Sequence, residues 1–120
     1  MTVANGTSFH DSSLVAINHR GDDILLSFEN VYVDGTLRFA ELGLTGVIGI
    51  TCDSEPIEKI EIIYDDGEVL KLSTTDNELL MLITWTDFKR DIDQTHSYQV
   101  ICKSIAINIG PVSPDNPVVN

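Results

Sequence analysis

Thr36-Leu-Arg-Phe-Ala-Glu-Leu-Gly-Leu-Thr-Gly-Val-Ile-Gly-Ile-Thr-Cys52 is the stretch on which the reading of the fold turns. As one strand its 17 residues would span roughly 55 Å, too long for a domain of 120 residues. Gly43, Gly46 and Gly49 make a break expected. Either two strands meet near Leu42–Thr45, or Leu37–Leu42 forms a helical turn closed by Gly43 at its C-terminus. Two strands are the preferred reading.

On the N-terminal side the pattern is plain. Leu14–His19 reads as a first strand, ended by Arg20-Gly21-Asp22-Asp23. Ile24, Leu26 and Phe28 then alternate inward. The phase changes near Asn30, because Val31 and Val33 carry the apolar face from there, and a bulge accounts for the extra residue. Asp34-Gly35 suits a two-residue type I′ turn, which needs positive φ at both central positions.

On the C-terminal side Ile60, Ile62 and Tyr64 line one face of an expected strand, and Asp65-Asp66-Gly67 turns the chain. Val69–Thr74 returns with Leu70 and Leu72 inward. Leu79–Thr86 is the most apolar strand, and its Trp85 reads as a core residue. Asp87–His96 is expected to be a polar loop. Ser97–Ile109 is a long last strand whose apolar phase slips at Lys103–Ser104, as at a bulge or where a strand passes between sheets. Residues 1–110 thus form a single β domain, and Pro111–Asn120 an extended or mobile tail. The expected architecture is all-β: an antiparallel β-sandwich or small barrel of about seven or eight strands, with little or no helix.

Charge narrows the partners. Nineteen acidic residues face seven basic ones, a formal net charge of −12. Such a surface repels nucleic acid and membrane and steers the protein toward basic partners. The acids are interleaved with 42% hydrophobic residues, the pattern of a charged exterior on a packed interior rather than a disordered tail. The first residues show no basic region followed by an apolar run, and no window approaches a membrane span, so a cytoplasmic protein is expected. Cys52 and Cys102 read as two buried free thiols, with a disulfide between neighbouring strands left open.

In an up-and-down meander, successive turns fall at opposite ends. If Thr36–Cys52 is two strands, one end gathers Asp22, Asp23, Asp65, Asp66, Glu68, Asp87, Asp91 and Asp93. These eight are the candidate partner-binding residues.

The remaining candidates for chemistry are thin. Phe9-His10-Asp11-Ser12-Ser13 holds the residue types of nucleophilic catalysis, but catalytic groups converge from distant positions. Neighbours along a strand point to opposite faces, so these cannot relay a proton among themselves. Asp11 and Ser12 are instead expected to bond local backbone amides and fix the start of the first strand. His19 is expected at the surface and His96 in the polar loop. The acidic turns lack the spacing of a calcium loop, and no Cys-x-x-Cys or histidine pair has metal-ligand spacing, so no metal or other cofactor is expected. Lys89-Arg90 is a pair among acids, not a nucleic-acid surface.

Ser8-Phe9-His10-Asp11-Ser12-Ser13-Leu14-Val15-Ala16-Ile17, followed by Gly21-Asp22-Asp23-Ile24-Leu25-Leu26-Ser27-Phe28-Glu29, resembles the opening of a group of bacterial immunity proteins. These begin with a Phe-His-Asp-Ala/Ser segment leading into a first β-hairpin, and serve toxin–immunity systems that include contact-dependent growth inhibition. The resemblance covers about the first quarter of the chain. It implies a small acidic cytoplasmic protein that binds a basic toxin domain, often a nuclease, and blocks it. No family binding residues carry over, because immunity surfaces differ from pair to pair. The expectation from the resemblance and the charge together is a non-enzymatic immunity protein. The alternatives are a β-barrel carrier of small molecules, which requires a large apolar cavity, and an enzyme using His10 and Asp11.

Overall fold

Period-two alternation of apolar residues builds most of the long strands of this protein. A computed structural model describes residues 6–114. The strands are β1 (Thr7–Ser8), β2 (Ser13–Arg20), β3 (Asp23–Val33), β4 (Thr36–Thr45), β5 (Gly49–Cys52), β6 (Glu55–Ile57), β7 (Asp66–Thr74), β8 (Glu78–Asp87), β9 (Ile92–Ile101) and β10 (Ser104–Val112). No helix occurs among the described residues. All pairings are antiparallel, in the order β10-β4-β3-β2-β7-β8-β9-β5-β6, with β1 added to β3. β10 and β6 do not pair with each other, so the sheet is open, as in a sandwich or a partly closed barrel.

Two halves meet at a narrow seam. β10-β4-β3-β2 and β7-β8-β9-β5-β6 are joined by one residue pair, Ser13 with Glu68. Two backbone bonds flank it: the Asp11 amide to the Val69 carbonyl and the Val69 amide to the Ser12 carbonyl, both 2.8 Å. Each half turns one face inward. Ile24, Leu26, Phe28, Leu42 and Leu44 from the first half share one hydrophobic cluster with Val69, Leu79, Met81, Ile83, Trp85 and Val100 from the second. Burying each such side chain contributes roughly 1.5–3 kcal/mol. That cluster, rather than the seam, holds the halves together.

The stretch Thr36–Cys52 does break into two strands, β4 and β5, separated at Gly46 with φ 64°. They are not a hairpin. β4 pairs with β3 and β10, whereas β5 pairs with β9 and β6. The last apolar run breaks likewise at Cys102–Lys103 and passes from one half to the other. The two crossings lie side by side: the Lys103 amide donates to the Thr45 carbonyl at 2.9 Å and the Cys102 amide to the Asn77 carbonyl at 2.9 Å. The bulge near Asn30 is present, with Asn30 at φ 62° and a register shift between Phe28 and Val31. Asp34 and Gly35 have φ of 48° and 89°, as a type I′ turn requires.

Several expectations need correction. Among the described residues ten strands replace seven or eight: β1 and β6 are short additions and the last run is two strands, while the expected strand at Ile60–Tyr64 is absent. Residues 58–65 form no strand: Ile60 is 2% exposed but Ile62 is 45% exposed. That segment carries the chain from β6 at the sheet's edge to β7 in its interior and joins no ladder, although its Ile60 carbonyl meets His19 Nε2 of β2 at 3.3 Å. Gly67 is not a turn residue but part of β7, opposite Trp85. A register shift between Val69 and Lys71 buries Val69 in place of Leu70. The expected loop Asp87–His96 shrinks to a turn at 88–91, since β9 already begins at Ile92. Pro111 and Val112 continue β10, and buried Ser113 donates its amide to the Leu37 carbonyl at 2.8 Å. Residues 115–120 of the expected tail lie outside the described residues.

Candidate functional site

Six of the eight acidic candidates gather around the β8–β9 turn. Asp65 Oδ2 accepts the Phe88 amide at 3.3 Å, which ties the start of β7 to that turn. Asp66 lies opposite Thr86 on β8, and Thr86 opposite Asp93 on β9. Glu68 sits one step further along the same face, beside the seam. Asp91 occupies the turn with φ 53°, a conformation Asp tolerates well. Phe88, 69% exposed, and Ile92, 38% exposed, stand among these carboxylates.

The acids are not equivalent. Asp87 is nearly buried and already committed: its Oδ1 accepts the Lys89 and Arg90 amides, and its Oδ2 pairs with Arg90 Nε at 2.7 Å. The Arg90 guanidinium, together with these amides, holds the Asp87 carboxyl below its ordinary range. Arg90 also lies 5.7 Å from the Tyr64 ring centre.

Asp22 and Asp23 lie elsewhere, which corrects the expected eight-acid cluster. The Asp22 carbonyl accepts the Val47 amide at 2.6 Å and Asp23 Oδ1 accepts the Gly46 amide at 3.0 Å. That corner touches the β9–β10 crossing, which in turn holds the turn at the start of β8. β8 runs roughly 30 Å from that turn to Asp87, so the two acidic groups sit at opposite ends of it. The expectation assumed a meander; β5 leaves β4 for the other half of the sheet, and the alternation of ends is lost.

A second constellation unites residues far apart in sequence. β5 pairs with β9 so that Cys52 lies opposite Tyr98. Asp53 follows in the β5–β6 turn with φ 52°, and its amide donates to the Ser97 carbonyl at 2.7 Å. Its Oδ1 accepts the Ser97 amide at 2.8 Å and its Oδ2 meets His96 Nδ1 at 2.6 Å. The other ring nitrogen, Nε2, faces Gln94 Oε1 at 3.1 Å. One ligand atom each from Cys52, Asp53 and His96 lies within 4.8 Å of the others. The Ser97 amide, then His96, holds the Asp53 carboxyl low. Burial, then the Asp53 charge, pushes the Cys52 thiol up. Behind them Trp85 Nε1–H donates to the buried Tyr98 hydroxyl at 2.9 Å, and burial pushes Tyr98 up to about 12. Both cysteines are free thiols, Cys102 buried and Cys52 only partly so. The spacing of Cys52, Asp53 and His96 along the chain carries no ligand signature, so only the β5–β9 register reveals them.

Residues 9–12, just ahead of β2, form a turn rather than a strand, so one expectation fails. Asp11 adopts φ 66°, which brings its carboxylate to 3.4 Å from His10 Nε2 although the two are neighbours. His10 Nδ1 meets the Leu70 carbonyl at 2.7 Å. Ser12 is fully buried and its hydroxyl donates to the Phe9 carbonyl at 2.6 Å, a carbonyl rather than the expected amide. The two imidazole nitrogens are thus occupied, and the Ser12 hydroxyl is turned away from them. His10 and Asp11 line an open surface hollow of about 440 Å³.

No helix among the described residues is long and apolar enough to cross a membrane. No family model matches this chain, and neither a curated protein nor a solved structure matches it.

Proposed function

We propose that this protein is an immunity-type inhibitor that binds a basic toxin domain and blocks it, without being an enzyme itself. The observation that carries the reading is the end of the sheet formed by Asp65, Asp66, Glu68, Asp91 and Asp93 around exposed Phe88 and Ile92. Carboxylates around an exposed apolar anchor offer a cationic partner both charge complementarity and an apolar contact to bury. A nuclease domain suits such a surface, because the cations that hold its phosphates can pair with carboxylates instead. A toxin-blocking protein working in the bacterial cytoplasm needs fast capture, and a net charge of −12 provides electrostatic steering. Asp87 serves the turn rather than the partner, since Arg90 already neutralises it. Asp22 and Asp23 form a separate acidic corner and do not belong to this face.

The carrier alternative draws no support from the interior. Trp85, Phe28, Leu26 and Leu42 fill the space between the halves, and an apolar-lined hollow of about 330 Å³ beside Phe39 and Ile109 opens at the surface.

The test is co-purification and rescue with the product of the gene immediately upstream. Binding in vitro and protection of cells expressing that product are expected. Charge reversal at Asp65, Asp66 and Asp93 together should slow association at least tenfold at low salt, and added salt should shrink the difference. Failure both to bind and to protect sinks the proposal.

A further inference from the structure

We propose that Cys52, Asp53 and His96 form a binding site for a divalent transition-metal ion, with zinc the best fit. A thiolate, an imidazole and a carboxylate are the donor set of zinc sites, and three protein ligands leave a fourth tetrahedral position for water or a partner's side chain. The three ligand atoms already lie within 4.8 Å of one another. Zinc bonds of about 2.0–2.3 Å put tetrahedral ligands roughly 3.3–3.8 Å apart. The Cys52 sulfur must therefore draw in by about an ångström, and the 2.6 Å contact between Asp53 and His96 must open by rather less.

The surroundings of the cluster also suit a metal. A ligating histidine usually donates its other ring N–H to an oxygen, which fixes ring and tautomer. With the ion on Nδ1, His96 Nε2–H is placed to donate to Gln94 Oε1 at 3.1 Å. Gln94 is itself held by the Tyr64 hydroxyl at 3.0 Å. Asp53 keeps one oxygen on the Ser97 amide at 2.8 Å, leaving the other for the ion. On binding, the Cys52 S–H bond breaks, its proton leaves to solvent and its electron pair forms the sulfur–metal bond. The ring proton moves from Nδ1 to Nε2, through solvent, when the neutral ring starts as the Nδ1–H tautomer. This site is independent of the toxin-binding reading and stands or falls without it.

The experiment titrates the reduced full chain with Co²⁺ as a spectroscopic stand-in for zinc, then displaces it with Zn²⁺. A thiolate-to-cobalt charge-transfer band saturating at one equivalent, and bleached by Zn²⁺, is expected. Cys52→Ser should abolish the band; Asp53→Asn and His96→Gln should each weaken binding at least tenfold; Cys102→Ser should leave it intact. NMR of the unaltered chain gives a check that needs no variant: Zn²⁺ should shift the ring signals of His96 and leave those of His19 in place. No charge-transfer band, a band that survives Cys52→Ser or depends on Cys102, or ring shifts confined to other histidines overturns the proposal.

Discussion

Replacing Gly67 by alanine should destabilise this protein although alanine is the better residue for an extended chain. Gly67 faces Trp85 across the β7–β8 pair. A Cβ there would sit 2.5 Å from Trp85 Cζ3 and 2.8 Å from Cε3, whereas carbon atoms pack at about 3.5–4.0 Å. The ring must retreat by about an ångström. It has nowhere to go: Trp85 is fully buried and its Nε1–H is fixed to the Tyr98 hydroxyl at 2.9 Å. Overpacking costs about 1–3 kcal/mol, and this contact is at the severe end. Loss of glycine's freedom in the unfolded chain returns at most about 1 kcal/mol. The expected net loss is about 2 kcal/mol, read as a lower urea midpoint with unchanged slope. Near-ultraviolet circular dichroism and tryptophan emission should both change. In a Trp85→Phe background the same alanine should cost less, because the benzo ring it strikes is gone. A Gly67→Ala protein as stable as the parent, with unaltered emission, would refute the reasoning.

Tyr98→Phe should cost about 1–3 kcal/mol in urea unfolding, because the buried Trp85 N–H loses its acceptor. The same variant tests the alkaline limb. Tyr98 is raised from 10 to about 12 in the folded state, so its contribution is fully present below pH 10 and is lost as pH rises through about 12. The parent's urea midpoint should fall over that window more steeply than that of Tyr98→Phe; parallel slopes would count against the assignment. At the acid end the sign reverses. The Asp53 carboxyl is lowered from 3.8, so the stability it contributes is present above that value and disappears as pH falls through the lower folded value. Asp53→Asn should flatten that limb of the stability curve, and an unchanged acid limb would show that the Ser97 and His96 contacts contribute little.

Local pattern was legible wherever one residue's surroundings depend on its sequence neighbours. Leu79, Met81, Ile83 and Trp85 alternate inward as their spacing requires, and Asp34-Gly35 makes the turn its chemistry favours. The bulge at Asn30 announces itself as a change of phase. Legibility failed where a segment's state depends on what lies beside it. Ile60, Ile62 and Tyr64 alternate like a strand, yet their segment crosses from β6 to β7 without joining a ladder. Gly67 reads as a turn residue because Asp65-Asp66-Gly67 has turn composition, while its role is to leave room for an indole ring.

The same division holds for the candidate sites. Composition determined the acidic charge and local pattern the all-β fold, because charge is a sum over residues and alternation is read from neighbouring positions. Which acids stand together was decided by where β5 goes after β4. Pairing β5 with β9 separates Asp22 and Asp23 from Asp65, Asp66 and Asp93, and the same pairing sets Cys52 and Asp53 against His96. Strand partners far apart in sequence are selected by burial of a shared core, an energy that belongs to the assembled halves and to no single segment.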